Sequence, residues 1–335
     1  MKSLTRIGIL LLIISLLFAG CSSQNNTASD QIRIGFFPNI THTQALYGRN
    51  TGQYEEAFGD DVTVQWLEFN AGPSEIEAIF AGEVDIGYIG PIPAINAYAR
   101  SSGDVVIIAG ATDAGAILVT RPDLILDSVD DLSGLKVAIP QLGNTQHLSL
   151  LHLLQEASLE TTDNGGTVEV VATANADIMA MLDQGNIDAA LVPEPWGAKM
   201  VGEVGANILL DEREVWRDGD YPVALVIVNK DFMDANPELV ETFVATHLAI
   251  TDEINADFEQ AKTIINNELE ALTGSALSQT VLDAAFSRIR ISTTIDQEAI
   301  DGFIDILVAS GYADPISDSE NILQFEILNR VQGDN

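Results

Sequence analysis

The stretch that most constrains this chain is one it uses twice. Residues 70–95 open on Asn70-Ala71-Gly72-Pro73-Ser74 and run through Ile76, Ile79 and Phe80, at helical spacing, to Gly82. Pro73 and Ser74 suit a helix's first turn, where a missing N–H costs nothing and a hydroxyl can cap, and Gly82 ends the helix. Val84 to Ile89 then reads as a short buried strand stopped by Gly90-Pro91. Residues 175–195 repeat the unit: Gly185-Asn186-Ile187-Asp188 stands where Gly82-Glu83-Val84-Asp85 stood, and the strand ends at Pro193-Glu194-Pro195. A second echo precedes each copy. Arg33-Ile34-Gly35-Phe36 leads to Thr43-Gln44-Ala45-Leu46, and Lys136-Val137-Ala138-Ile139 leads to Thr145-Gln146-His147-Leu148. Each half therefore predicts strand, polar loop and helix, then helix, strand and Gly/Pro loop. Two like α/β lobes with loops at their strand ends predict a cleft between them.

The 335 residues suffice for two domains, each with its own core. A hydrophobic content of 47% with 19% charged residues excludes a largely disordered chain. Residues 1–20 read as a targeting segment, with Lys2 and Arg6, an apolar run from Ile7 to Phe18, and the small-residue site Leu17-Phe18-Ala19-Gly20-Cys21. The run is short for a membrane span. Cys21, the sole cysteine, sits at the cleavage point, as in a bacterial lipoprotein signal where that residue becomes lipidated. One thiol leaves no internal disulfide and no cysteine metal cluster to expect. Residues 21–30 are small and polar and suit a flexible tether.

The formal charge is −35; without Lys2 and Arg6, 13 basic residues face 50 acidic ones and the charge is −37. That balance excludes a nucleic-acid partner, because phosphate binding needs a basic face. It agrees with a salt-rich setting in which self-repulsion is screened.

Strands are predicted at Gln31–Phe37, Val62–Phe69 and Val105–Ala111, with a helix over 43–54. Ile117–Thr120 carries the chain into a second lobe, which holds Lys136–Pro140, Val168–Ala172 and Ile208–Asp211, and Ala224–Asn229 returns it. Lobe one is thus expected to comprise 31–118 plus 225–335 and lobe two 119–224, with the two crossings forming a hinge. Pro237 opens a long amphipathic helix with Leu239, Phe243, Leu248 and Ile254 on its buried side.

Five motifs, in order, carry a resemblance: Phe37-Pro38-Asn39-Ile40-Thr41-His42, Asn70-Ala71-Gly72-Pro73-Ser74, Tyr88-Ile89-Gly90-Pro91, Pro140-Gln141-Leu142-Gly143-Asn144-Thr145-Gln146 and Val192-Pro193-Glu194-Pro195-Trp196-Gly197. Over roughly residues 31–260 the chain resembles the substrate-binding lipoproteins of nitrate/sulfonate/taurine-type ABC importers, nearest the aliphatic-sulfonate branch. The resemblance implies an α/β, two-lobed periplasmic-binding-protein fold (type II) with its ligand cleft between the lobes. It implies a small anionic ligand (an aliphatic sulfonate or taurine-like), an ABC permease with its ATPase subunit as partners, and a monomer anchored through lipid to the extracytoplasmic face of the membrane. No cofactor is implied. Relatives also bind nitrate, bicarbonate or pyrimidine thiamine precursors, and a pyrimidine-synthase-type enzyme shares the fold. The sequence holds no G-x-x-x-x-G-K-[ST], G-x-S-x-G or H-E-x-x-H, and the lipoprotein signal argues against a cytoplasmic enzyme.

The loops at 38–42, 72–74, 90–93 and 143–146 each precede a helix. Helix starts present unpaired N–H groups and a partial positive charge, which suits an oxyanion without any lysine. The candidate ligand contacts are Asn39, Thr41, His42, Gly72, Ser74, Gly90, Asn144, Thr145 and Gln146. The hydroxyls of Thr41, Ser74 and Thr145 either donate to the ligand or cap their helices. His42 either donates to an anion or caps its loop; His147 is expected to pack at its helix start. Glu194, held between two prolines, either binds a ligand amine or locks a loop through a salt bridge. Trp196 and Tyr88 either wall the ligand's organic part or pack in the core. Asp85 and Asp188 recur in both halves, which points to a fold role. Four histidines without tight pairing give no metal site to expect.

Overall fold

The computed structural model describes residues 29–333 apart from Val215; Cys21, the expected leader and most of the tether lie outside the described residues. Lobe one begins with β1 (Gln31–Phe36), β2 (Thr63–Glu68), β3 (Ile86–Ile89) and β4 (Val105–Ala114). Lobe two follows with β5 (Ala116–Thr120), β6 (Lys136–Ile139), β7 (Glu169–Ala172), β8 (Ala189–Pro193) and β9 (Asn207–Asp211). The chain returns to lobe one as β10 (Pro222–Asn229) and β11 (Ile289–Ile291). The sheet orders are β11-β4-β10-β3-β1-β2 and β7-β6-β8-β5-β9.

The duplication is visible in these orders. In each sheet the first strand (β1, β6) lies parallel between the second (β2, β7) and third (β3, β8). The neighbour beyond the third strand is antiparallel and belongs to a crossing, β10 in lobe one and β5 in lobe two. Residue-level contacts repeat as well. The Asp85 carboxylate accepts from Arg33 N at 2.8 Å, and the Asp188 carboxylate from Lys136 N at 2.9 Å, over the same 52-residue separation. Both aspartates thus tie the third strand to the first, the fold role their recurrence suggested.

The chain changes sheets at Ala114-Gly115, where both residues have positive φ (58° and 91°), and again between Asp211 and Pro222. Both changes come a few residues before the expected boundaries, which fall inside β5 and β10 because an apolar strand reads alike in either sheet.

Strands follow their patterns. β2 is an edge strand, with Val64 and Trp66 turned inward between exposed Thr63 and Gln65. β4 and β10, paired on both sides, are apolar along most of their length and almost wholly buried. The expected helix over 43–54 is two helices, Thr43–Thr51 and Gln53–Phe58, broken at Gly52. In the helix Pro237–Ala256, Leu239 and Leu248 are only half-buried. The buried stripe runs instead through Val240, Phe243, Val244, His247, Ile250, Thr251 and Ile254. Two polar members hide it from a hydrophobicity count, yet both are hydrogen-bonded. His247 Nε2 donates to Gly110 O at 2.8 Å, and Thr251 Oγ1 donates to His247 O at 2.9 Å. With Nε2 as donor, Nδ1 accepts from Tyr88 OH (2.9 Å), which in turn accepts from Tyr54 OH (2.5 Å). Tyr88 is therefore a core residue.

Candidate functional site

Between the lobes, at the carboxyl ends of the parallel strands of both sheets, lies a narrow cavity of about 380 Å³ including its mouth. Lobe one contributes Phe37, Asn39, Thr41 and His42 after β1, Asn70 and Gly72 after β2, and Gly90 after β3. Lobe two contributes Pro140, Asn144, Thr145 and Gln146 after β6, Asn175 after β7, and Pro193 at the end of β8. Ala71, Pro93 and Val223 complete an apolar part of the wall. No lining residue is Lys, Arg, Asp or Glu. Eight of the sequence candidates are thus brought together: Asn39, Thr41, His42, Gly72, Gly90, Asn144, Thr145 and Gln146.

Their local geometry gives each a job. Asn144 caps the helix Thr145–Glu156: its Oδ1 accepts from His147 N at 2.9 Å, and its Nδ2 donates to Gln146 Oε1 at 3.0 Å. Thr145 is therefore not the cap, and its buried Oγ1 has no hydrogen-bond partner. Asn175 Oδ1 is likewise buried and unpartnered. The helices Gly72–Phe80, Pro91–Ser101 and Asn175–Asp183 start without side-chain caps. Pro91 and Pro93 leave the second only the Ile92 N–H in its first three positions, whereas the other two keep Gly72 and Ser74 N–H and Asn175, Ala176 and Asp177 N–H without a cap.

The two histidines behave alike. His42 Nδ1 accepts from Phe37 N at 3.2 Å, and His147 Nδ1 from Gly143 N at 3.0 Å. Each ring therefore carries its proton on Nε2. Burial lowers the His42 pKa to about 3 and the His147 pKa to about 4, so both stay neutral at physiological pH. Across the cavity, a Cβ on Gly90 would lie 2.3 Å from Thr145 Oγ1. Glycine at that position lets the lobes meet.

Ser74, Glu194 and Trp196 lie outside the lining. Ser74 Oγ lies 3.0 Å from Ala71 O and 3.2 Å from Gln141 Oε1 across the cleft, and its one proton serves either acceptor. Trp196 Nε1 donates to Asn39 Oδ1 at 3.1 Å, a second bond between the lobes. Glu194 is wholly buried; Oε1 accepts from Arg288 Nη1 at 2.8 Å and Oε2 from Ala198 N at 2.9 Å. Of its two readings, the salt bridge is the one built. Burial keeps its carboxyl above the usual range, against the opposing pull of Ala198 N–H and Arg288.

Sequence reasoning named neither Asn70, though it stands in one of the five motifs, nor Asn175 nor Arg288 as site residues. Asn175 carried a signal, since it opens the second copy's helix where Gly72 opens the first. Arg288 carried none, being 94 residues from its partner.

Two duplicated α/β lobes, crossed twice by the chain and closing on a cleft at their strand ends, define the periplasmic-binding-protein fold. The chain belongs to the NMT1-like family, whose model matches residues 25–267. It is 30% identical, over 55% of each chain, to a putative aliphatic sulfonates-binding protein of Escherichia coli K12. It is 31% identical, over 54% of each chain, to the taurine-binding periplasmic protein of the same organism. The chain thus spans about half the length of these curated relatives. Its fold is similar to that of the alkanesulfonate-binding protein SsuA from Xanthomonas axonopodis pv. citri, solved bound to MOPS. The TM-score is 0.75 and the identity 19%, covering 89% of this chain and 99% of that one.

Proposed function

We propose that this chain is the extracytoplasmic binding component of an ABC importer. It captures a small organic anion of the aliphatic-sulfonate class between its lobes and presents the closed form to a permease with its ATPase subunit. It carries out no chemistry on the ligand, acts as a monomer, and is held at the membrane by lipid on Cys21. The names of its relatives support the transport role. The observation that carries the ligand class is a cleft of uncharged donors: Thr145 Oγ1 without a partner, His42 with Nε2–H, and the uncapped starts of the helices Gly72–Phe80 and Asn175–Asp183.

A chain of such negative charge repels an anion at a distance, but the Debye length is about 8 Å at physiological salt, so the far field is screened. Charge-assisted hydrogen bonds of about 2.7–2.9 Å act at contact and set affinity there. One such bond contributes about 1.5–3 kcal/mol, or roughly 10–150-fold in affinity.

Calorimetric titration with ethanesulfonate tests the reading. Thr145→Ala is expected to weaken binding by about 10–150-fold. Its melting temperature should hold or rise, because a buried, unpartnered hydroxyl is removed. Ser74→Ala, outside the lining, should change affinity much less. Tight binding of nitrate or of a pyrimidine, with none of any alkanesulfonate, would overturn the sulfonate assignment.

A further inference from the structure

Asn175 Oδ1 and Thr145 Oγ1 are the two buried, unpartnered side-chain atoms that belong to the cavity wall, and they ask for different things. A threonine hydroxyl can donate to an oxyanion. An amide oxygen only accepts, and an anionic head offers it nothing. Asn175 is 4% exposed, so water does not satisfy it from outside, and leaving a buried acceptor unmade is costly.

The other amide oxygens of lobe two's wall are already used: Asn144 Oδ1 by His147 N, and Gln146 Oε1 by Asn144 Nδ2. In lobe one, Asn39 Oδ1 is taken by Trp196. We propose that Asn175 is a specificity-determining residue whose Oδ1 accepts a hydrogen bond from a hydroxyl on the ligand, so that the site selects hydroxyalkyl anions over plain alkyl ones. An ammonium fits less well. It brings three donors and a positive charge to a wall without a carboxylate, where one free buried acceptor satisfies one donor.

This rests on the sulfonate reading above, and three ligands of nearly equal size separate the two. Ethanesulfonate, 2-hydroxyethanesulfonate and 2-aminoethanesulfonate are titrated calorimetrically into the whole protein and into Asn175→Ala. The wild type should bind the hydroxy compound about 3–10-fold more tightly than ethanesulfonate, the worth of one net hydrogen bond, and the amino compound no better than ethanesulfonate. In Asn175→Ala the hydroxyl preference, read as the ratio of the two affinities within that variant, should vanish. Equal binding of the hydroxy and plain compounds by wild type, a preference that survives in Asn175→Ala, or tightest binding of the amino compound would each overturn the inference and leave the sulfonate reading standing. Failure of all three to bind would overturn both.

Discussion

Glu75 faces the sheet from the helix Gly72–Phe80, wholly buried, with neither carboxylate oxygen hydrogen-bonded. The space it fills exists because Gly35 and Gly87, paired across β1 and β3, lack side chains; a Cβ on either would lie 2.1 Å from Oε1. Burial raises the carboxyl well above the usual range, so the group is a neutral acid in the folded protein. The folded state then holds a proton that the unfolded chain releases above pH of about 4.5, and stability falls as pH rises through that window. Glu75→Gln removes the titration. Its melting temperature relative to wild type should climb between pH 5 and pH 8, and a difference independent of pH would show that Glu75 is not held protonated. The sequence displayed Glu75 only as an acidic residue in a helix's first turn, where charge is normally favourable. That it faces inward depends on two glycines, one of them forty residues earlier.

Among elements, the repeated helix–strand unit was legible because its signals are local: apolar spacing, a closing glycine and an aspartate three residues on. What braces the units was not. The segment Ser287–Arg288, just before β11, reaches over to lobe two's strand ends. Arg288 bonds Glu194 at 2.8 Å and approaches Asp211 at 3.5 Å, while Arg213 Nη1 donates to Ser287 O at 2.8 Å. Arg290, two residues on, joins Asp113 (2.7 Å) before one crossing to Asp220 (2.5 Å) within the other. Such contacts lie far apart in sequence, and with 50 acidic residues the choice of partner cannot be read from composition. Removing Arg288 leaves Glu194 buried without its counter-charge. Arg288→Ala should therefore cost about 3–5 kcal/mol in urea unfolding. The loss should be smaller at pH 5 than at pH 8, because the stranded carboxyl takes up a proton on folding. Pairing Arg288→Met with Glu194→Gln should recover most of it; no recovery would place the cost in lost packing.

At the scale of the molecule, the two lobes meet through Trp196 and Asn39, Ser74 and Gln141, and Asn70 and Pro140 O at 3.5 Å, around a narrow cleft. If the lobes open and close as proposed, these bonds break on opening, and they and the ligand then favour the same state. Small-angle scattering should give a smaller radius of gyration with saturating ethanesulfonate than without, and an unchanged profile would count against a closing hinge. The lobe arrangement was legible because each sheet is assembled from repeats. The cleft's closeness was not, since it depends on residues with little side chain, such as Gly90 against Thr145. The crossings also impose an order in time. All five strands of lobe two come from one unbroken stretch, Ala116 to Asp211, whereas lobe one's sheet takes its central strand, β10, from beyond that stretch. Until Pro222–Asn229 has been made, β4 has neither of its neighbours and β3 has one open edge. At about 5–20 residues per second on the ribosome, that interval lasts roughly 5–20 s. Open strand edges invite pairing with other chains. The lobe that is synthesised first is thus the last to be completed, and its unfinished sheet is what a newborn chain most needs kept from its neighbours.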